Sequence, residues 1–129
     1  MLVNPQIRQR PKYLNLPHIR LPLPGVVSIL HRTSGALLFV ALPVLLYGFQ
    51  QSLASSAAFD ALKAALGHWY VKIVVLILLW AYFHHLCAGL RHLALDLHLG
   101  IDLHAARLSS WLALIAGILM TLMAGTLLW

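Results

Sequence analysis

Three apolar stretches, at about 30–53, 69–95 and 107–129, leave this chain little choice of fold. Each matches or exceeds the roughly 20 apolar residues that a helix needs to cross a hydrocarbon core about 30 Å thick. In that medium every backbone N–H and C=O must find its partner inside the segment, so each stretch is expected to be an α-helix. Composition agrees: the chain has 129 residues, 61% of them hydrophobic and 9% charged, with a mean hydropathy of +0.86, where a soluble domain averages about 25% charged. The expected fold is all-α: one integral membrane domain over 1–129, a bundle of three transmembrane helices with a short interfacial N-terminal segment. So small a bundle encloses little space, and a large cofactor would need another chain to complete its wall.

The flanking residues set the topology. Residues 1–27 hold Pro5, Pro11, Pro17, Pro22 and Pro24 together with Arg8, Arg10, Lys12 and Arg20, a mixture that disfavours a long helix and reads as a basic segment lying on membrane lipids. Within the first span Pro43 removes one backbone donor and is expected to bend it. From Leu108 onward the third span has no ionisable side chain and is bracketed by Trp111 and Trp129, as interfacial aromatics are. Gly117 and Gly125 in it permit close packing. Arg8, Arg10, Lys12, Arg20, Arg32, Arg91 and Arg107 flank one side, Lys63 and Lys72 the other. The excess of cations puts the N-terminus in the cytoplasm and the loop at 51–68 and the C-terminus outside. Ala54-Ser55-Ser56-Ala57-Ala58 has the small residues of a signal cleavage region, but the polar segment before it is too long for an n-region and its apolar stretch too long for an h-region. The single cysteine, Cys87, excludes an internal disulfide. The cations are spread among prolines and spans, without the aromatic platforms of a nucleic-acid face, so no nucleic-acid partner is expected.

The second span carries ionisable groups at membrane depth, where they are costly and usually functional. In His85-Leu86-Cys87-Ala88-Gly89-Leu90-Arg91-His92-Leu93-Ala94-Leu95-Asp96, positions 85, 89, 92 and 96 share one narrow helical face, at about 100° per residue. An imidazole one turn from a glycine suits a flat macrocycle lying against the helix while a ring nitrogen reaches its metal. On this reading His85 is an axial haem ligand, Gly89 gives the ring room, and His92 and Arg91, about 10 Å nearer the cytoplasm, meet the propionates. The bland reading is a set of polar residues satisfied by helix contacts. His84 is a rival ligand at the same depth, rotated by about 100°. His68, His98 and His104 read as loop or interface residues, so a second axial histidine would come from a partner.

A second constellation, Ser28-Ile29-Leu30-His31-Arg32-Thr33-Ser34-Gly35, stands at the mouth of the first span. Ser28 and Arg32 are four apart and share a face if helical, offering a hydroxyl and a permanent cation beside apolar neighbours, which suits a lipophilic ligand with a carbonyl. By itself it is also what an N-cap serine followed by a topology-setting arginine looks like.

Together, Ser28 through Gly35, His85 through Asp96, and Arg10-Pro11 followed by Leu14 resemble the cytochrome b anchor subunit of succinate dehydrogenase, the membrane part of complex II. The resemblance covers nearly the whole chain. It implies haem b with His85 as ligand, the opposite histidine coming from a second small anchor subunit. It further implies ubiquinone bound at Ser28 and Arg32, and haem propionates near His31, Arg32 and His92. Asp96 would deliver protons to reduced quinone. An iron–sulfur subunit and a flavoprotein subunit would complete the complex, since this chain has neither a cysteine cluster nor a nucleotide-binding glycine loop. On this expectation the chain is no enzyme alone. It couples succinate oxidation to quinone reduction, in the tricarboxylic acid cycle and respiratory chain, from a bacterial inner membrane. The alternatives are a fumarate reductase anchor, a haem-free relay built on His85, His92 and Asp96, or a bare structural anchor.

Overall fold

The computed structural model describes residues 21–129. They form α1 (Leu23–Ala54), α2 (Ser56–Gly67), α3 (Trp69–Asp96) and α4 (Leu103–Leu128), with no strand among the described residues. The all-α fold with three long apolar helices is the one expected. α1, α3 and α4 hold 32, 28 and 26 residues and are each long and apolar enough to cross a membrane. At 1.5 Å per residue they reach about 48, 42 and 39 Å, beyond the hydrocarbon core and into the headgroup layers.

α1 begins at Leu23 rather than near residue 30. Pro22 is its N-cap and Pro24 lies in its first turn, where the missing N–H forfeits no intrahelical bond. Gly25 and Val26 donate to the Pro22 carbonyl at 2.8 and 3.1 Å. The whole Ser28–Gly35 element is therefore helical, and α1 runs through Pro43 unbroken. Of the segment read as interfacial, residues 1–20 lie outside the described residues, as do Arg8, Arg10, Lys12 and Arg20. The stretch 51–68, expected as a loop, holds α2 instead. Ser55 is extended there (φ −165°, ψ 163°), and its hydroxyl accepts from Ala58 N at 3.1 Å, a side-chain cap on a run rich in alanine and leucine, both strong helix formers. α4 starts at Leu103, capped by Asp102, whose carboxylate accepts from Ala105 N at 3.0 Å.

α3 is the central helix. At its end His98 turns left-handed (φ 61°), His98 N donates to Leu95 O and Leu99 N to Ala94 O, each at 2.9 Å, closing the helix with a Schellman pattern. The chain then reverses into α4. Ala81, His84, Ala88 and Arg91 are buried on one face of α3, and Ser110, Ala113, Gly117 and Thr121 on one face of α4. Spacings of three and four place each set on a single stripe. A Cβ on Gly117 would stand 3.2 Å from His84 Cα and 3.3 Å from His84 N, so glycine there sets how closely the two backbones approach. Outside, leucine, isoleucine, valine and aromatic side chains are exposed along all three long helices, the surface that lipid tails or partner helices cover.

Gly117→Val should therefore lower the thermal unfolding midpoint in detergent micelles, by about 1–3 kcal/mol of overpacking. Gly48→Ala, where a Cβ would meet nothing within 4 Å, should leave it unchanged or raise it. Equal midpoints for the two variants would contradict the described α3–α4 contact.

Candidate functional site

The two His-x-x-x-Gly elements of the chain, His31 to Gly35 on α1 and His85 to Gly89 on α3, pack against one another in opposite order. His85 lies over Gly35: a Cβ there would be 2.8 Å from His85 Cε1 and 3.2 Å from Nδ1. His31 lies over Gly89: a Cβ there would be 3.4 Å from His31 Nε2. The two imidazoles stack, with centroids 4.1 Å apart and planes 15° from parallel. His92, two turns along α3, meets His31 edge-on at 5.0 Å.

One ring nitrogen of His85 is committed. Its Nδ1 lies 3.0 Å from the His31 carbonyl oxygen, which can only accept, so Nδ1 carries the proton. Ser34 Oγ, 3.3 Å from the same nitrogen, donates to that carbonyl at 2.9 Å and stands beside the bond. In the neutral imidazole Nε2 is then the lone pair, the tautomer of a metal-binding histidine whose other nitrogen is fixed by a backbone carbonyl. Among the described residues no three of His, Cys, Asp and Glu converge on a bare metal ion.

His84 faces a different way. It is fully buried, its backbone against Gly117 and its ring stacked on Trp80 at 5.2 Å and 13°. Neither of its nitrogens has a hydrogen-bond partner among the described residues. Arg91 is likewise turned from the His85 face. Its Nε donates to Ser109 Oγ at 3.1 Å and its Nη2 to Ala106 O at 3.4 Å, so α4 holds the guanidinium, and it does not join His92 as its place in the sequence suggests.

On α1 the environment changes steadily around the helix. Val27 and Ser34 are buried, Ser28, His31 and Gly35 half-buried, and Arg32 exposed. Ser28 and Arg32 are about 40° apart around the axis. They border the His31–Gly35 surface, on the flank away from the bundle interior. Asp96, the last residue of α3, is exposed. Of the residues singled out from sequence, His31, His85, Gly89 and His92 come together directly. Ser34 and Gly35 are added by the structure. Their signal was the repeat of the His-x-x-x-Gly spacing in two segments that run antiparallel.

The family described as succinate dehydrogenase/fumarate reductase transmembrane subunit matches residues 6–124. The chain is similar to the succinate dehydrogenase cytochrome b556 subunit of Coxiella burnetii, 34% identical over 122 residues, which cover 94% of this chain and 98% of that one. The subunit of the same name from Rickettsia bellii is 35% identical over 83% of this chain and 86% of its own. That of Paracoccus denitrificans is 34% identical over 84% and 82%.

Because a methyl group on residue 35 collides with the His85 ring while one on residue 89 only touches His31, Gly35→Ala should displace His85 and break its bond to the His31 carbonyl. Gly89→Ala should preserve that bond. Ring ¹⁵N shifts of histidine-labelled protein read the difference directly; an unchanged His85 Nδ1–H resonance in Gly35→Ala would contradict the packing.

Proposed function

Since the chain belongs to the succinate dehydrogenase/fumarate reductase transmembrane subunit family, we propose that it is the haem b-bearing anchor of a succinate dehydrogenase and forms part of the ubiquinone site. The observation that carries the haem assignment is the bond from His85 Nδ1 to the His31 carbonyl, which leaves Nε2 to ligate iron. The relatives bear the name cytochrome b556 subunit, and a b-type haem fits a donor of this kind. His84 is the poorer donor, because its ring is fully buried and stacked on Trp80. A further histidine to hold the haem would come from a second small anchor subunit.

Gly89 presents no side chain toward this face, and His31, Arg32 and His92 stand toward the same end of the bundle, where the propionates would be met. When bound, a b-type haem supplies a centre that takes up and gives up one electron at a time. The chain's own residues do the rest. His31 and Ser34 fix the tautomer and orientation of His85. Gly35 provides the room for that orientation.

Ser28 and Arg32, bordering the same surface, suit a quinone headgroup: the hydroxyl donates to one carbonyl oxygen and the guanidinium stabilises the negative charge that develops there. Quinone reduction consumes two protons. Asp96, exposed at the end of α3 one turn beyond His92, would take them up from the aqueous side. A haem-free relay would use His85, His92 and Asp96, and a b-type spectrum separates the two readings. The iron–sulfur and flavoprotein subunits would sit on the side where α1 begins and α3 ends, the cytoplasmic side of a bacterial inner membrane by its excess of arginine, with the C-terminus periplasmic. The motifs serve quinone reduction by succinate here, and a fumarate reductase anchor would use the same groups in the reverse direction.

In the purified complex, a reduced-minus-oxidised optical spectrum should show a b-type haem that His85→Ala removes and His84→Ala retains. Absence of haem in the wild type, or its loss in His84→Ala alone, would overturn the assignment. Arg32→Leu should lower quinone reductase activity about tenfold or more, the worth of a hydrogen bond from a charged donor, while sparing succinate oxidation by a soluble dye. Unchanged quinone kinetics would remove Arg32 from the site.

A further inference from the structure

Among the described residues Arg91 is the one charged side chain that is buried, at 8% exposed. A guanidinium has five N–H donors and is always ionised. The described partners of Arg91, Ser109 Oγ and Ala106 O, take one bond from each of two nitrogens, and neither is charged. A buried cation whose charge is not matched is strongly disfavoured. The nearest acids along the chain do not serve it: Asp102 is exposed and spends its carboxylate on the α4 cap, and Asp96 is exposed on another face of α3. Arg91 therefore has donors and charge left for an anion from outside the chain.

The place where that anion would sit is formed. A cleft of about 200 Å³ lies between the end of α3 and the start of α4, lined by Arg91, Leu95, Gly100, Ala105, Leu108 and Leu112 among others. Apart from the guanidinium and Ser109 its walls are almost wholly apolar. Leu108 and Leu112 are more than half exposed and lead from the cleft down the outer face of α4. Arg91 is five residues from the end of α3, about 7.5 Å along the axis, which places it at the boundary between hydrocarbon and headgroups in a helix about 42 Å long. Haem propionates are not the match, because Arg91 is about 100° around α3 from His92 and α4 holds it there.

We propose that this cleft binds one anionic phospholipid, its phosphate on the Arg91 guanidinium and an acyl chain along Leu108 and Leu112. An arginine suits a phosphodiester, which two of its N–H groups can grip side by side, and basic pockets between transmembrane helices hold such headgroups. The lipid completes the α3–α4 pair on the side away from the His85 face. This site is independent of the haem and quinone assignment.

The test uses the intact membrane complex, stripped of loosely held lipid in detergent and titrated with phosphatidylglycerol, with phosphatidylcholine of the same acyl chains, or with inorganic phosphate. Bound lipid is counted by native mass spectrometry. The wild type should retain one phosphatidylglycerol per copy of this chain in preference to phosphatidylcholine. Arg91→Gln should lower that occupancy about tenfold, the worth of a charge-assisted bond. Leu108→Trp, which fills the cleft and leaves Arg91 in place, should lower it comparably, so the outcome does not hang on one variant folding. Equal retention in both variants, equal retention of the two lipids, or displacement by inorganic phosphate alone would overturn the proposal. So would a structure of the complex with another subunit's carboxylate on Arg91.

Discussion

The interaction on which the candidate site depends is the reciprocal fit of α1 and α3, in which each helix sets an imidazole against a glycine of the other. Helices whose backbones come this close need residues without bulk at the contact, and Gly35 and Gly89 supply them where His85 and His31 demand it. The fit also does chemistry. By bringing the His31 carbonyl to 3.0 Å from His85 Nδ1, it selects the tautomer in which Nε2 is a ligand. A backbone carbonyl is a good choice for this, since it cannot rotate away or change its protonation as a side chain would.

The rest of the bundle inverts the soluble pattern. Its buried positions are small or polar, with Val27, Ala81, Ala88 and Ala113 beside Ser34, His84, Arg91, Ser110 and Thr121, while the large apolar side chains are outside. Lipid tails are as apolar as leucine, so burying leucine between helices offers no gain; close backbone packing and hydrogen bonds do. Ser110 and Thr121 donate back to their own helix, to Ala106 O and Gly117 O at 2.7 Å each. They add no polar demand to the seam. α4 thereby serves as the fixed wall that closes one side of α3 and leaves the other for function.

Much of this was legible in the residues. Hydrophobic length gave three spanning helices, because in lipid the backbone admits no other solution, and the 3.6-residue period put His85, Gly89 and His92 on one face. What was not legible is instructive. α2 and the early start of α1 depended on local capping, by Ser55 and by prolines confined to a first turn, which hydropathy does not register. How His85 is held is one such feature: one-helix geometry puts Gly89 on its face, and only two-helix packing sets Gly35 under His85 and Gly89 under His31. Arg91 was placed with the histidines by proximity in sequence, and only the position of Ser109 and Ala106 on α4 shows where its donors go.

The most direct measurement is a structure of the intact complex at a resolution that distinguishes the imidazole nitrogens around the haem. The account predicts His85 Nε2 on the iron, Nδ1 still on the His31 carbonyl, and His84 enclosed against α4 without a metal. Iron on His84, or on His85 Nδ1 with the His31 bond broken, would contradict it.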